Sequence, residues 1–120
     1  MRIPMITISQ MNVLAGRPDK NLASVLRDID IAKRMRSDLH VLNEMAIPGY
    51  MLGDEWENNS FVQECESMNQ VVIDATKNSA MTVIWGNVAT DSNRLNQDGR
   101  LRKYNAAFVA CSGILVSNGV

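Results

Sequence analysis

The sequence of 120 residues corresponds to one domain or part of one, and it is long enough to bury a core without a disulfide or a metal ion. Twelve basic and thirteen acidic side chains give a net charge of −1, so no charge excess indicates nucleic acid or an anionic membrane as a partner. The N-terminus becomes polar too early for a secretory signal, residues 104–120 are too polar for a membrane span, and two distant cysteines suit a reducing compartment, so we expect a cytoplasmic protein.

The first part of the chain predicts a strand, a helix and a second strand. Residues 4–10 are short, apolar and β-branched, as in a strand. Apolar residues recur at steps of three and four across residues 21–35, which predicts an amphipathic helix with Asp19 or Asn21 as its N-cap. Residues 38–43 form the second predicted strand. Short links between these elements are typical of a parallel β-α-β unit.

A long loop and a second helix follow. Residues 44–59 form a loop that is long for a compact domain, and such loops are often functional. The apolar spacing of residues 60–77 predicts a helix. Ser60 and Gln63 fit a capping box at its start, and Asn78 fits a left-handed residue at its end.

The last part of the chain predicts a hairpin and a short additional strand. Three strands are predicted, at residues 81–87, 103–111 and 113–117. The polar segment between the first two contains Asp98-Gly99, a dipeptide typical of hairpin turns. The order β-α-β-α-β followed by a hairpin predicts the α/β fold class.

Glu44 is the candidate functional residue that the pattern itself indicates, because it follows the second predicted strand. Ligands gather at the carboxyl ends of parallel strands. Strand alternation puts Glu44 on the same side as His40 and Leu42. We therefore expect a partly desolvated carboxylate with a raised pKa, which would make it a better base near neutral pH. A purely structural role at the start of the loop is the alternative.

Several segments resemble the signatures of the nitrilase (carbon–nitrogen hydrolase) superfamily. LNEMAIPGY, residues 42–50, is similar to the family strand that ends in an acid and is followed by Gly-Tyr. Residues 6–33 resemble its opening strand and first helix, and residues 99–115 its Tyr-Asn-Ala-Ala strand. GYMLGDEW and FVQECESMNQVV, residues 49–56 and 61–72, resemble most the glutamine-hydrolysing domain of glutamine-dependent NAD synthetases. The resemblance spans essentially the whole chain.

The resemblance implies the first half of a four-layer α-β-β-α sandwich, with residues 1–120 as the N-terminal portion of a glutaminase domain. It also implies amide hydrolysis by a Glu-Lys-Cys triad through a thioester. Glu44 would be the general base and Tyr50 would line the substrate pocket, while Tyr104 and Asn105 would mainly pack. The expected substrate is glutamine or another small amide. No metal or organic cofactor is expected, and ATP and magnesium would serve only an attached synthetase domain.

The other two members of the triad have no match in the sequence. None of the four lysines (Lys20, Lys33, Lys77 and Lys103) has the expected position. Cys65 and Cys111 are predicted to be structural, and His40 is predicted to pack or hydrogen-bond within its strand. Asn43 replaces the usual proline before the acid, and this replacement would hold the Glu44 carboxylate less firmly in its orientation. We therefore expect that these 120 residues alone do not hydrolyse amides.

Half of such a sandwich would expose apolar sheet surface. The rest of the same polypeptide or a partner chain is expected to cover it, and a homo-oligomer is expected. Two alternatives stay open beside the glutaminase: a shortened, non-catalytic member acting as a binding or assembly module, and another small-amide amidase of the superfamily.

Overall fold

The computed structural model describes residues 2–117. The strands of the sheet are β1 (Ile6–Ile8), β2 (Leu39–Val41), β3 (Thr82–Leu95), β4 (Leu101–Cys111) and β5 (Ile114–Ser117). The helices are α1 (Pro18–Arg34) and α2 (Asn59–Ala75), and a short 3-10 helix spans Gly53–Glu57. The predicted α/β class and the predicted order of elements are confirmed.

The strands lie in the sheet in the same order as in the sequence, β1-β2-β3-β4-β5. β1, β2 and β3 are parallel neighbours, and the two antiparallel pairs β3–β4 and β4–β5 follow. The parallel connections contain α1 and α2, which contact each other. Right-handed connections between successive neighbours put both helices on the same face of the sheet. The result is one layer of helices on one layer of strands.

The core lies between the helices and one face of the sheet. α1 contributes Val25 and Ile29, and α2 contributes Val62 and Cys65, all of them buried. From the sheet, Trp85 of β3 stacks on Phe108 of β4, with ring centroids 5.7 Å apart. Burial of this apolar area supplies most of the stability of such a domain.

The opposite face of the sheet has no covering layer among residues 2–117, and we call it the open face. Ile8 of β1 is 71% exposed and Ile114 of β5 is 67% exposed. Ile6 and Val116 are exposed as well. Apolar sheet surface of this kind was predicted from the sequence, and the described part of the chain presents it.

Both predicted N-terminal caps are wrong. α1 begins at Pro18, and Arg17 at the N-cap position makes no side-chain cap bond. Proline suits the first turn because it has no N–H group to satisfy. α2 is capped by Asn58, whose side chain accepts from the Ser60 and Phe61 amides. Asn78 is left-handed as predicted, with φ 59°.

The β3–β4 hairpin is longer than predicted. β3 continues through the polar residues to Leu95, and Thr90 and Asp91 pair with Lys103 and Arg102 of β4. Polar side chains are compatible with strand structure here because this end of the hairpin is exposed to solvent. The predicted turn residue Gly99 has φ 82°, a conformation that glycine adopts without strain.

Candidate active site

Glu44 lies in a tight turn rather than on the extension of β2. The Gly86 amide donates to the Asn43 carbonyl at 3.2 Å, and the Gly86 carbonyl accepts from the Ile47 amide at 3.3 Å. The residues between these two bonds, 44–46, bulge out of the sheet, and Met45 has φ 48°. Since regular pairing would use residues two apart on the neighbouring strand, the turn accommodates two additional residues.

Gly86 makes this turn possible. A Cβ atom at Gly86 would lie 2.2 Å from the Met45 amide nitrogen and 2.8 Å from the Asn43 carbonyl oxygen. No side chain fits at those distances, so the turn passes over β3 where β3 has no side chain. Gly86 pairs with Ala107 of β4 and lies on the open face with it.

The Glu44 carboxylate reaches across β3 to β4. Asn105 Nδ2 donates to Glu44 Oε1 at 2.5 Å, and the Tyr50 hydroxyl also hydrogen-bonds to this carboxylate. Asn105 is exposed while its neighbour Ala106 is buried on the helix side. The three polar groups of Glu44, Tyr50 and Asn105 therefore meet on the open face.

The predicted side of Glu44 is wrong. His40 and Leu42 are buried on the helix side, whereas Glu44 is exposed. β2 ends at Val41, so strand alternation no longer applies at residue 44, and the turn directs the carboxylate to the open face.

The predicted direction of the Glu44 pKa shift is also wrong. The hydrogen bonds from Tyr50 and, second, from Asn105 lower the pKa of Glu44 below its ordinary value. Donors of this kind stabilise the charged carboxylate, and at an exposed position the opposing effect of desolvation is smaller. Glu44 is therefore a carboxylate held ionised and oriented by two side chains.

The β1–α1 loop supports the turn from the other side. Asn21 is buried, and its side chain makes three hydrogen bonds: from the Leu14 amide at 2.8 Å, and to the Leu14 and Ile47 carbonyls at 2.7 and 2.8 Å. The Gly16 amide donates to the Pro48 carbonyl at 2.9 Å. The turn that carries Glu44 is thus tied both to β3 and to this loop.

Glu44 lines an open-face cleft of about 450 Å³ together with Asn105. A neighbouring open cleft of about 380 Å³ is lined by its two partners, Tyr50 and Asn105. Its walls include Met45, Tyr50 and Trp56 from the loop, and Val88, Lys103 and Asn105 from the hairpin. Lys103 is half-buried, and its Nζ donates to the Leu101 carbonyl at 3.2 Å. The cleft therefore combines apolar walls, a cation, and the two side chains that bind Glu44, as small-molecule sites commonly do.

The remaining candidates lie away from Glu44. Cys65 is buried in α2 as predicted, and burial raises the pKa of its thiol to about 12. Cys111 lies at the end of β4, where its Sγ contacts the Ala80 carbonyl at 3.6 Å. His40 is buried and hydrogen-bonds to Thr7 and Ser9, so its partners are on and just after β1 rather than within its own strand.

The described residues contain neither a metal-binding cluster nor a membrane-spanning helix. Residues 2–117 contain no group of three or more His, Cys, Asp or Glu side chains that could hold a metal ion. In the same part of the chain, no helix has the length and apolar character needed to cross a membrane.

The roles of two residues of this site, Asn105 and Gly86, were not predicted from the sequence. Asn105 was expected to pack, yet its amide binds the acid. Gly86 was not singled out, although a glycine within an apolar strand is a signal of close backbone approach. The signal was present in the sequence, but the segment that approaches Gly86 could not be identified from it.

Comparison with known proteins relates this chain to glutamine-dependent NAD synthetases and to amidases. It is 30% identical over 108 residues to the glutamine-dependent NAD(+) synthetase of Thermotoga maritima, covering 90% of this chain and 17% of that protein. The fold matches the crystal structure of a glutamine-dependent NAD(+) synthetase from Cytophaga hutchinsonii with a TM-score of 0.79 and 18% identity, covering 94% of this chain and 18% of that one.

A nitrilase-type fold also appears among the structural neighbours. An amidase from Nesterenkonia sp. matches with a TM-score of 0.75 and 15% identity, covering 98% of this chain and 43% of that chain. The present chain therefore spans less than half the length of each of these relatives. The family model for carbon-nitrogen hydrolase matches residues 5–115. This match covers nearly the whole sequence, and the chain belongs to the carbon-nitrogen hydrolase family.

Proposed function

We propose that residues 1–120 form the N-terminal portion of a glutaminase domain, in which Glu44 is the general base for hydrolysis of the glutamine side-chain amide. The observation that carries this proposal is the Glu44 carboxylate on the open face, where Tyr50 and Asn105 hold it. Glu44 lines one open cleft, and its two partners line the neighbouring one. The similarity to a glutamine-dependent NAD(+) synthetase supports glutamine as the amide.

In the proposed reaction, Glu44 takes the proton of a cysteine thiol, and the thiolate attacks the amide carbonyl carbon. The C–N bond breaks, Glu44 returns the proton to the leaving nitrogen, and ammonia departs. Water then attacks the thioester, losing a proton to Glu44, and releases the carboxylic acid and the thiol. The balance is R-CO-NH2 + H2O → R-COOH + NH3.

The nucleophile in this proposal is not a cysteine of the described structure. Cys65 has a raised thiol pKa, which opposes thiolate formation, and Cys111 contacts Ala80 and Ser112 rather than Glu44. The triad cysteine and lysine would come from the sequence that completes the sandwich over the open face, in the same polypeptide or in a partner chain. The 120 residues alone are expected to be inactive.

Lys103 favours an amide that carries a negative group. Lys103 is half-buried and lines the cleft two residues from Asn105 on the same face of β4. A carboxylate such as that of glutamine would gain a charge-assisted contact there, whereas a neutral amide would not. The similarity in fold to an amidase keeps a neutral small amide as the second candidate.

The substitution Glu44→Gln in the intact protein tests the proposed base. Ammonia release from glutamine should fall by about 10³-fold or more, because the members of a catalytic triad act as a unit. Synthesis driven by added ammonia, where a synthetase domain is attached, should be unchanged. Glu57→Gln is the matched control, since Glu57 lines the neighbouring cleft but pairs with Arg100. Equal loss of both activities in E44Q would count against the proposal.

The substitution Lys103→Met separates the two candidate substrates. If glutamine is the substrate, KM for glutamine should rise by about tenfold, as expected for loss of one charge-assisted contact, while KM for a neutral amide stays the same. A wild-type preference for the neutral amide would favour the second candidate. An intact wild-type protein that releases no ammonia from any amide would favour the non-catalytic binding module.

The proposal includes three further expectations. Hydrolysis of the amide needs no metal or organic cofactor, and ATP and magnesium would be used only by an attached synthetase domain. A homo-oligomer is expected for the intact protein. A cytoplasmic location is expected as well, and both Cys65 and Cys111 are free thiols.

A further inference from the structure

We propose that Asn43 is a positioning residue for Glu44, and this inference rests on the proposed function of Glu44. Asn43 Oδ1 accepts from the Met11 amide at 3.0 Å, and Asn43 Nδ2 donates to the Met11 carbonyl at 3.4 Å. One side chain therefore satisfies both backbone polar groups of one residue. The same asparagine binds β3 through its carbonyl oxygen, which accepts from the Gly86 amide.

The side chain of Asn43 bonds to the backbone of Met11 just beyond the point where the backbone pairing of β1 and β2 ends. The last ladder bond runs from the Ser9 amide to the Val41 carbonyl at 2.8 Å. Beyond it the chain that follows β1 would have no strand partner at Met11, which is itself buried. Unpaired backbone groups at a buried position are costly, and the primary amide of Asn43 reproduces the donor and acceptor of a strand.

This contact restrains the residue that immediately precedes the acid. Asn43 is held on one side by Met11 and on the other by Gly86, so its peptide plane cannot rotate freely. The backbone of Glu44 follows directly after this fixed peptide plane. The hydrogen bond from the Ile47 amide to the Gly86 carbonyl fixes the other end of the turn. From this position the Glu44 carboxylate accepts a hydrogen bond from Asn105 Nδ2 at 2.5 Å.

The contact with Met11 occurs at the position where the chain departs from the family pattern, with Asn43 in place of the usual proline. An asparagine in place of proline was expected to hold the Glu44 carboxylate less firmly in its orientation. Proline would restrict φ at this position but offers no side-chain donor or acceptor. Asn43 instead restrains the turn with two hydrogen bonds to a neighbouring segment, so the orientation of Glu44 depends on the β1–α1 loop.

The substitution Asn43→Leu tests this role, because leucine has a similar size and cannot make either bond. In the intact protein, a pH titration of the ¹³C-labelled Glu44 carboxyl group should show a pKa that rises towards its ordinary value, since Tyr50 and Asn105 no longer meet a fixed carboxylate. In the intact protein, kcat for glutamine should fall by about 100-fold, the effect of a displacement of about 1 Å, and the acid limb of the pH profile should move to higher pH.

Thr76→Val is the matched control. Thr76 is buried at the opposite end of the sheet, where its hydroxyl donates to the Ile73 carbonyl and accepts from the Gly113 amide. This variant should lower the melting temperature as N43L does, but it should leave the Glu44 titration and the pH profile unchanged. If N43L does not fold, Asn43→Gln is the second variant, because it retains the primary amide but moves it by one methylene group. It should raise the pKa of Glu44 as N43L does, but by a smaller amount.

The outcomes separate this inference from the proposed function. An unchanged Glu44 titration in N43L or N43Q overturns the positioning role, whatever the activity. A shifted titration in an intact protein that hydrolyses no amide supports the positioning role and rejects the function. Equal shifts in N43L and T76V would mean that general loosening of the fold, rather than the Met11 contact, orients Glu44.

Discussion

The two faces of the sheet carry two polar clusters that differ in how far their central groups are exposed to solvent. On the helix side, His40 is 3% exposed and bonds to Thr7 and Ser9, and Ser9 donates to Asp28 at 2.8 Å. On the open face, Glu44 bonds to Asn105 and to Tyr50, which is 50% exposed. The first cluster is mostly buried but borders an open cleft of about 410 Å³, whereas the second is exposed on the open face.

The pKa of the central group is lowered in both clusters, but for different reasons. Burial lowers the pKa of His40 because it disfavours the charged imidazolium, and the carboxylate of Asp28 opposes this only in part. Hydrogen bonds lower the pKa of Glu44 because they favour its charged form. A shifted pKa therefore does not identify a functional group by itself; accessibility and geometry have to agree with it.

The largest expected effect concerns the open face itself. The isolated chain should associate through its exposed apolar strands, so size-exclusion chromatography should show species larger than 13.3 kDa. Ile8→Lys combined with Ile114→Lys should shift the distribution towards the monomer. Val71→Lys, at an exposed apolar position of α2, is the control and should leave it unchanged. A well-folded wild-type monomer would contradict the expectation.

The substitution Gly86→Ala should damage the open-face site and the fold together. Its new methyl group would collide with the backbone of the turn, and such a forced shift costs about 1–3 kcal/mol of unfolding free energy. Urea denaturation measures the loss, and the Glu44 carboxyl titration should move towards an ordinary pKa. Ala107→Ser, at the exposed position opposite Gly86 on β4, should change neither quantity.

The helix-side cluster should make stability depend on pH. The folded-state pKa of His40 lies below its unfolded value, so stability is complete above the unfolded pKa of about 6.5 and decreases as pH falls towards the folded pKa. Urea midpoints between about pH 7.5 and about pH 5 measure the slope. His40 is the only histidine of the sequence, so His40→Gln should remove this dependence. A slope that persists in H40Q would assign it to another group.

The smallest expected effect is on the ionisation of Glu44. Tyr50→Phe should raise the pKa of Glu44, and Asn105→Ala should raise it less, following the order of the two hydrogen bonds. Carboxyl ¹³C titration measures both shifts. Tyr104→Phe removes a hydroxyl from the neighbouring residue of β4 and should cause none. A lower pKa in either variant would show that these side chains do not stabilise the carboxylate.

Much of the fold could be predicted from periodicity. The apolar spacing of Val25, Ile29 and Ala32 identified α1, and the apolar segments identified the strands. The ends of elements were less accurate, because Pro18 and Asn58 determine the starts of α1 and α2 through local geometry. The length of β3 was missed because an exposed hairpin tolerates polar side chains that also suit a loop.

The site was predicted in part. Glu44 was singled out because it follows a predicted strand, and Tyr50 because of the resemblance to the nitrilase superfamily. The structure brings these two side chains into contact. The side of the sheet was wrong because alternation was extended beyond the last residue of a three-residue strand. The partners Met11, Gly86 and Asn105 could not be predicted, because each is distant in sequence and meets the turn only through tertiary structure.

The sequential order of the strands has a consequence for how the chain folds. Every strand from β2 to β5 pairs with the strand before it in the sequence. Each pairing step therefore closes a single crossover or hairpin and requires no strand from later in the chain. Folding rates increase as the sequence separation of contacts decreases. During synthesis, all the strands that hold the Glu44 turn can therefore pair before any segment that follows β5 is made.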